Sequence, residues 1–145
     1  MIDSVLLRCR HCSAVNRVPV NRIMERPKCG KCKAFLEFPG APIEVTAGNF
    51  EQEVLMWPGA VLAEFWSPLC GVCSSVRPYI EALARRRRGI LKVAMINIDK
   101  EQILASGFNI KATPKFILYR NGVKIKELDG ALPEPEMEQW INQSL

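Results

Sequence analysis

Residues 60–73, AVLAEFWSPLCGVC, decide the fold, because they lead from a buried strand into a pair of cysteines at a helix start. Residues 60–66 are apolar except for Glu64, which is typical of a strand covered on both faces of a parallel sheet. Cys70 and Cys73 then precede a segment in which apolar residues recur at helical spacing. The stretch therefore predicts a central strand, a two-cysteine turn and a helix.

The helix after this turn carries two residues that disturb helices. Pro78 predicts a kink, because proline removes a backbone donor and crowds the preceding turn. Gly89 is the predicted stop just beyond the helix end. The residues expected to face the core are Val72, Val76, Tyr79, Ile80, Leu83 and Ala84.

Shorter strands and helices alternate around this unit. Asn121 and Gly122 form a two-residue hairpin signal between two strand patterns. The order of elements predicts an α/β domain with a mixed sheet covered by helices. The predicted strands are residues 43–46, 60–66, 91–98, 116–119 and 123–128. The predicted helices are residues 49–56, the segment from the Cys70–Cys73 turn up to Gly89, residues 100–106 and a C-terminal segment from Pro133.

The N-terminal part of the chain has a different composition. Residues 1–38 hold four of the six cysteines and no long periodic segment, so they need a bound metal or a covalent cross-link to fold. Residues 38–42 place two prolines around a glycine and form a predicted linker. The chain is therefore predicted to divide into a small domain, residues 1–38, and a larger one, residues 39–145.

The four N-terminal cysteines form two Cys-x-x-Cys pairs at a separation close to that of a zinc ribbon. Four thiolates suit a tetrahedral structural Zn²⁺, and an iron centre has the same geometry. His11 could in principle replace a ligand, but four cysteines already fill the shell. The predicted metal ligands are Cys9, Cys12, Cys29 and Cys32.

Two functions are open for this predicted zinc site. The simpler one is to hold residues 1–38 together. The other is a redox or metal-release switch, because oxidation removes thiolates from a metal. Basic residues beside the ligands would offset the negative charge of such a centre, and they are Arg8, Arg10, Lys28, Lys31 and Lys33.

The position of Cys70 and Cys73 at a helix start predicts thiol-disulfide exchange. The unpaired N–H groups and the positive dipole end of the helix stabilise a thiolate on Cys70, which is the attacking species. Cys73, one turn further in, is expected to be less exposed and to resolve the mixed disulfide by attacking Cys70. Glu64 is expected to be buried and neutral, so that it can exchange a proton with a neighbouring thiol. The alternative is that Glu64 points to solvent by strand alternation.

Other classes of protein fit the sequence less well. A cysteine protease needs a histidine base, and His11 lies between two predicted zinc ligands. No glycine-rich dinucleotide fingerprint is present, so no organic cofactor is expected and electrons should come from another protein. A net charge of +5 is modest, and residues 85–88 are four arginines at a predicted helix end, where cations complement the helix dipole. Nucleic-acid binding is therefore not expected.

The expected location is the cytoplasm. Residues 1–12 contain no apolar run of signal-peptide length, and no later stretch approaches the ~18 apolar residues of a membrane span. In a reducing compartment, Cys-x-x-Cys pairs indicate metal or redox chemistry more often than structural disulfides.

From residue 43 onward the sequence resembles thioredoxin in the order of its motifs. The two N-terminal Cys-x-x-Cys pairs add a resemblance to the zinc-binding bacterial class called thioredoxin 2. The motifs are Glu64-Phe65-Trp66, Cys70-Gly71-Val72-Cys73, Pro78, Asn97-Ile98-Asp99, Thr113-Pro114, Asn121-Gly122 and Gly130-Ala131-Leu132.

This resemblance implies a thioredoxin fold, general reduction of protein disulfides, and thioredoxin reductase as the electron donor. It also implies that Pro114 is cis and lies against the redox pair, while the Thr113 backbone pairs with the substrate chain as an added strand.

The sequence departs from the family pattern at three positions. Leu69 stands where a tryptophan is usual, Val72 where a proline is usual, and Glu64 where an aspartate is usual. Leu69 changes the surface beside the predicted site, and Val72 frees the helix start, which tunes thiolate stability and redox potential. A second function therefore stays open, a zinc-ribbon module that binds protein or nucleic acid and uses the thioredoxin-like half as a scaffold.

Overall fold

The computed structural model describes residues 3–145 and contains a small two-stranded sheet and a larger five-stranded sheet. The N-terminal part holds strands β1 (Ser4–Arg8) and β2 (Val15–Pro19), followed by a 3₁₀ helix (Val20–Glu25). The rest holds β3 (Ile43–Glu44), a π-helical segment (Glu51–Leu55), β4 (Ala60–Trp66), α1 (Gly71–Arg86), β5 (Leu91–Asn97), α2 (Gln102–Gly107), β6 (Lys115–Arg120), β7 (Val123–Asp129) and α3 (Glu134–Asn142).

The larger sheet has the strand order β3-β5-β4-β6-β7. Strands β3, β5 and β4 are parallel, whereas β6 and β7 are antiparallel to their neighbours. The order places β4 at the centre, with Glu64 opposite Met95 of β5 and Phe116 of β6. This is the predicted mixed sheet, and residues 60–66 form its central strand as expected.

The two faces of the sheet bury different partners. On one face, Leu62 of β4 packs in a cluster with residues of α1 and α3, such as Ile80 and Ile141. On the other face, Val61 and Phe65 join a cluster that includes residues of the N-terminal part. Successive side chains of a strand alternate between faces, so Glu64 lies on the α1 and α3 face with Leu62.

The N-terminal part packs at the end of the sheet where β4 and β5 begin. Arg8 donates to the Met56 carbonyl oxygen at 3.3 Å, just before β4. Lys92, near the start of β5, is only 3% exposed, forms an ion pair with Glu53, and lies 3.5 Å from the centre of the Trp57 ring. Because burial removes water from the ammonium group, the pKa of Lys92 is lowered to about 8 even though Glu53 opposes this.

Several sequence predictions need correction. The helix predicted for residues 49–56 is a π-helical segment, Glu51–Leu55, in which Glu53 is held by Lys92. Helix α1 ends at Arg86, and Gly89 lies three residues later in the following turn with φ +83°. Val72 was expected to face the core, but it is 51% exposed, whereas the next residue, Cys73, is 4% exposed.

The arginines at the end of α1 have structural contacts. Arg86 pairs with Glu134 at 3.6 Å and with Glu138 at 2.5 Å, both in α3. Arg88 donates to the Phe38 carbonyl oxygen at 3.0 Å, which attaches the predicted linker to the turn after α1. Arg86 and Arg88 thus bind other groups of this chain.

None of the helices in residues 3–145 combines the length and the apolar character needed to cross a membrane.

Candidate functional site

Cys70 and Cys73 lie where the central strand passes into α1. Cys70 is the N-cap residue of this 16-residue helix, and the two cysteines are joined by a disulfide with a Cα–Cα distance of 5.2 Å. Cys70 is half-buried, whereas Cys73 is only 4% exposed. An incoming disulfide can therefore reach Cys70 more easily than Cys73.

Backbone groups at the start of α1 favour negative charge on Cys70. The Cys73 N–H donates to the Cys70 Sγ at 3.1 Å, as in an ordinary side-chain cap. The other unpaired N–H groups of the first turn and the helix dipole act in the same direction. Upstream, the Cys70 N–H donates to the Ser67 carbonyl oxygen at 3.0 Å, so the turn that presents the thiol is itself held in place.

The predicted substrate-binding residues lie at the same end of the sheet. Because β6 is antiparallel to β4, Lys115 at the start of β6 pairs with Phe65 near the end of β4. The Thr113–Pro114 peptide bond is cis and immediately precedes β6, with Thr113 half-buried and Pro114 buried. Leu69, directly before Cys70, is 93% exposed. An exposed apolar side chain thus borders the disulfide.

Glu64 is buried beneath this end of the sheet, as expected, and does not point to solvent. It is 0% exposed, and neither carboxylate oxygen has a hydrogen-bond partner among the described residues. Burial raises the pKa of Glu64 to about 7, and the positive charge of Arg77 opposes that rise. A carboxyl group with this pKa changes its protonation state near neutral pH.

Arg77 was not identified from the sequence as a site residue. It lies four residues after Cys73 in α1, which places it on the same face of the helix. That spacing is the signal in the sequence from which Arg77 could have been identified. The guanidinium carbon of Arg77 lies 5.8 Å from the centre of the Trp66 ring.

The predicted metal ligands come together in the N-terminal part. The four Sγ atoms all lie within 4.8 Å of one another, and they belong to Cys9, Cys12, Cys29 and Cys32. Tetrahedral zinc with Zn–S bonds of ~2.3 Å requires Sγ atoms about 3.8 Å apart. The observed distances of 3.6 Å between Cys9 and Cys32, and 3.5 Å between Cys12 and Cys29, fit that requirement.

The two cysteine pairs occupy matching backbone turns. The Cys9 N–H donates to Ala14 at 2.8 Å, and the Cys29 N–H donates to Ala34 at 2.8 Å. His11 contributes a backbone N–H to the Cys9 Sγ at 3.4 Å, and its side chain is not part of the cluster. Hydrogen bonds of this kind stabilise thiolates, the form that binds a metal.

Comparison with known proteins matches each part of the chain to a family. A family model of thioredoxin matches residues 41–143, and a model of the N-terminal zinc ribbon of thioredoxin 2 matches residues 8–34. The chain belongs to the thioredoxin family. It is 29% identical over 141 residues to thioredoxin C-3 of Corynebacterium nephridii, covering 97% of this chain and 96% of that relative.

Further thioredoxins match the larger domain. Thioredoxin 1 of Nostoc sp. is 33% identical over 105 residues, which cover 72% of this chain and 98% of that protein. The solved structure of a thioredoxin mutant from Halobacterium salinarum NRC-1 superposes with a TM-score of 0.67 and 28% identity, covering 74% of this chain and 93% of the other.

These relatives identify the chain as a thiol-disulfide oxidoreductase that reduces protein disulfides, which is the chemistry expected from the sequence. They do not favour the alternative of a zinc-ribbon binding module on an inactive scaffold. The thioredoxin fold and the four-cysteine ribbon were both predicted correctly.

Proposed function

We propose that Cys70 and Cys73 carry the exchange, with Cys70 as the nucleophile and Cys73 as the resolving thiol. The observation that supports this most is the contrast between a half-buried Cys70 at the helix N-cap and a buried Cys73. The helix start stabilises the thiolate form of Cys70, and the partial exposure of Cys70 lets a substrate disulfide reach its sulfur.

The proposed reaction transfers two electrons from the protein to the substrate. The Cys70 thiolate attacks one sulfur of a substrate disulfide, and the other substrate sulfur leaves as a thiolate that takes up a proton from water. Cys73 then loses its proton and attacks the Cys70 sulfur. The second substrate thiolate is released, and the protein is left with the Cys70–Cys73 disulfide.

Glu64 is the proposed acceptor for the Cys73 proton. Cys73 is buried, so water has poor access to its thiol. A carboxylate acts best as a general base when its pKa lies near the working pH, and the pKa of Glu64 is about 7. The carboxyl group must then return its proton to solvent before the next cycle.

The proposed substrate contacts surround Cys70. The backbone of Thr113 would pair with an extended substrate segment, and Pro114 would form the wall behind the disulfide. Leu69 would offer an apolar contact in place of a flat ring, because its side chain is almost fully exposed. Protein disulfides in extended segments are the substrates that suit this surface.

Electrons would return through a protein donor, thioredoxin reductase, by exchange with the Cys70–Cys73 disulfide. The zinc ribbon in residues 1–38 would hold a structural Zn²⁺ through its four cysteines and contribute no group to the exchange. We place the protein in the cytoplasm and in redox homeostasis, because a Cys₄ metal site needs reduced thiols. The division into residues 1–38 and 39–145 would then separate the part that binds metal from the part that exchanges disulfides.

Trapping the mixed disulfide tests the assignment of the two cysteines. Cys73→Ser should accumulate a covalent adduct with a disulfide-containing protein substrate, because the resolving attack is lost while Cys70 still reacts. Mass spectrometry of the digested adduct should place the cross-link at Cys70. The matched control, Cys70→Ser combined with Cys73→Ser, should form no adduct. A cross-link at a ribbon cysteine would overturn the assignment.

The raised pKa of Glu64 predicts how stability depends on pH. Its value of about 7 lies above the ordinary 4.5, so the folded protein binds a proton that the unfolded chain has released between these values. Stability contributed by the protonated group is present below pH 4.5 and is lost as pH rises through 7. Each pKa unit corresponds to ~1.4 kcal/mol.

Denaturation of the oxidised protein at pH 5 and pH 9 measures this effect. Relative to the wild type, Glu64→Gln should gain about 2–3 kcal/mol in unfolding free energy between the two pH values. Glu136→Gln, at an exposed position in α3, is the matched control for the loss of a carboxylate. A flat difference for Glu64→Gln would mean that the carboxyl group stays ionised in the folded protein.

A further inference from the structure

Buried polar atoms without partners are concentrated next to Glu64. Within residues 3–145, five buried side-chain nitrogen and oxygen atoms have no hydrogen-bond partner. Four of them are the two Glu64 oxygens, the Trp66 Nε1 and the Arg77 Nε. Since most buried polar groups in proteins are hydrogen-bonded, a cluster of such atoms indicates a functional or hydrated site.

These three residues meet on one face of the sheet. Trp66 lies two residues after Glu64 in β4, so both side chains project from the α1 face. Arg77 reaches this place from α1 and lies over the Trp66 ring at 5.8 Å. Its other charged contact is weak, since the Arg77 Nε lies 3.9 Å from an oxygen of the exposed Glu81. The guanidinium is therefore available to interact with another charged group.

A cavity of about 270 Å³ opens beside this cluster. Trp66, Arg77 and Met95 line it, and Met95 is the neighbour of Glu64 across the sheet. Lys100 and Glu44 lie at its rim and approach each other to 3.9 Å, so their charges largely cancel. Glu64 itself does not line the cavity, but Trp66 and Met95, which lie next to it on the same face of the sheet, do.

Few charged or titratable groups face Glu64. The strands beside it contribute the apolar Met95 and Phe116. Helix α1 contributes Arg77 and Tyr79, and the Tyr79 hydroxyl donates to the Leu132 carbonyl oxygen at 2.6 Å. Burial raises the pKa of Tyr79, and the negative charges of Glu64 and Glu134 add to that rise, so the phenol stays neutral. Arg77 is therefore the cation that acts on Glu64.

We propose that Arg77 is a positioning residue for Glu64, whose guanidinium lines the solvent route to the buried carboxyl group and favours its ionised form. The proton that Glu64 takes from Cys73 leaves along this cavity to water. No bond to sulfur is made or broken by Arg77. The inference rests on the proposed role of Glu64 as proton acceptor.

Carbon-13 NMR of the Glu side-chain carboxyl carbons tests the electrostatic part directly. In the oxidised full-length protein, the Glu64 resonance is the one that disappears in Glu64→Gln. Its titration midpoint should rise by about 1 pH unit in Arg77→Met, because an opposite charge within a few ångströms lowers a carboxyl pKa. Arg77→Lys should restore most of the wild-type midpoint.

Two further variants control for structural effects. Arg77→Gln removes the charge but keeps hydrogen-bonding capacity, and it replaces Arg77→Met if that variant fails to fold. Arg85→Met removes an exposed arginine from the same helix and should leave the midpoint unchanged. If the midpoint in the neutral Arg77 variants equals that of the wild type, the inference is wrong.

The pH profile of substrate release separates this inference from the proposed function. Release from the mixed disulfide should show the same upward shift in Arg77→Met, because Glu64 must be ionised to accept the Cys73 proton. If the NMR midpoint moves while release is insensitive to both Arg77→Met and Glu64→Gln, the placement of Arg77 stands and the role of Glu64 as proton acceptor fails. If the pH profile of release shifts in Arg77→Met while the Glu64 titration midpoint stays at the wild-type value, the placement of Arg77 is wrong.

Discussion

Cys70→Ser should lose disulfide reductase activity by at least about 10³-fold, as expected when an enzyme loses its nucleophile. A serine hydroxyl is not ionised at neutral pH and cannot form a disulfide, so neither the mixed disulfide nor the oxidised protein can arise. The measurement is the initial rate of reduction of a disulfide-bonded protein, with dithiothreitol as the electron source.

The matched control for this loss is Ser74→Ala, an exposed position of α1 four residues after Cys70. It should retain the wild-type rate, because the first turn of the helix and both cysteines remain. Circular dichroism checks that each variant is folded. Activity that survives in Cys70→Ser and disappears when a ribbon cysteine is replaced would move the exchange to the N-terminal part.

The contrast between the two cysteines could be predicted because it depends on local geometry. A nearly continuous apolar run specified β4 to the residue, and the Cys-x-x-Cys spacing specified which thiol comes first in the helix. The burial of Glu64 does not follow from the strand pattern alone, since alternation along a strand allows either face to be exposed. It was decided by helices α1 and α3, which cover the face on which Glu64 lies.

Features that depend on residues distant in sequence could not be predicted. The π-helical segment forms where Glu53 is held by Lys92, 39 residues later, and this pair is invisible in a local pattern. In the same way, α1 ends before Gly89 where Arg87 and Arg88 turn to contacts with Asn142 and Phe38. Local propensity sets the type of an element, whereas such contacts set its bounds and irregularities.

The role of Arg77 belongs to the same class. Its position in α1 matches an ordinary solvated helix face, and its relation to Glu64 emerges only when α1 lies across β4. Val72 shows the converse error, because helical spacing predicted burial for a side chain that is 51% exposed. Periodicity therefore identifies a helix face but not the extent of the surface that covers it.

Removal of a ribbon ligand should have the second large effect, on stability rather than on exchange. Cys29 is fully buried and belongs to the hydrophobic cluster that continues into the larger sheet. Cys29→Ser should reduce the metal content from one zinc per chain to none and lower the unfolding free energy by at least about 5 kcal/mol, a part of the binding energy of structural zinc. Elemental analysis of the wild type also distinguishes zinc from iron.

His11→Ala is the matched control for this loss, because His11 lies between two ligands but its side chain is outside the sulfur cluster. It should keep one zinc per chain and the wild-type melting temperature. A zinc content unchanged in Cys29→Ser, or lost in His11→Ala, would contradict the four-cysteine site.

The reactivity of Cys70 should survive the loss of zinc. The ribbon packs where β4 begins, and Cys70 follows the end of β4, so the two sites are separated by about 20 Å of extended strand. Alkylation of Cys70 in reduced Cys29→Ser, measured at a temperature where the variant is folded, should therefore proceed at the wild-type rate. A rate that falls together with the zinc content would show that the ribbon controls the exchange site. The metal would then do more than stabilise the N-terminal part.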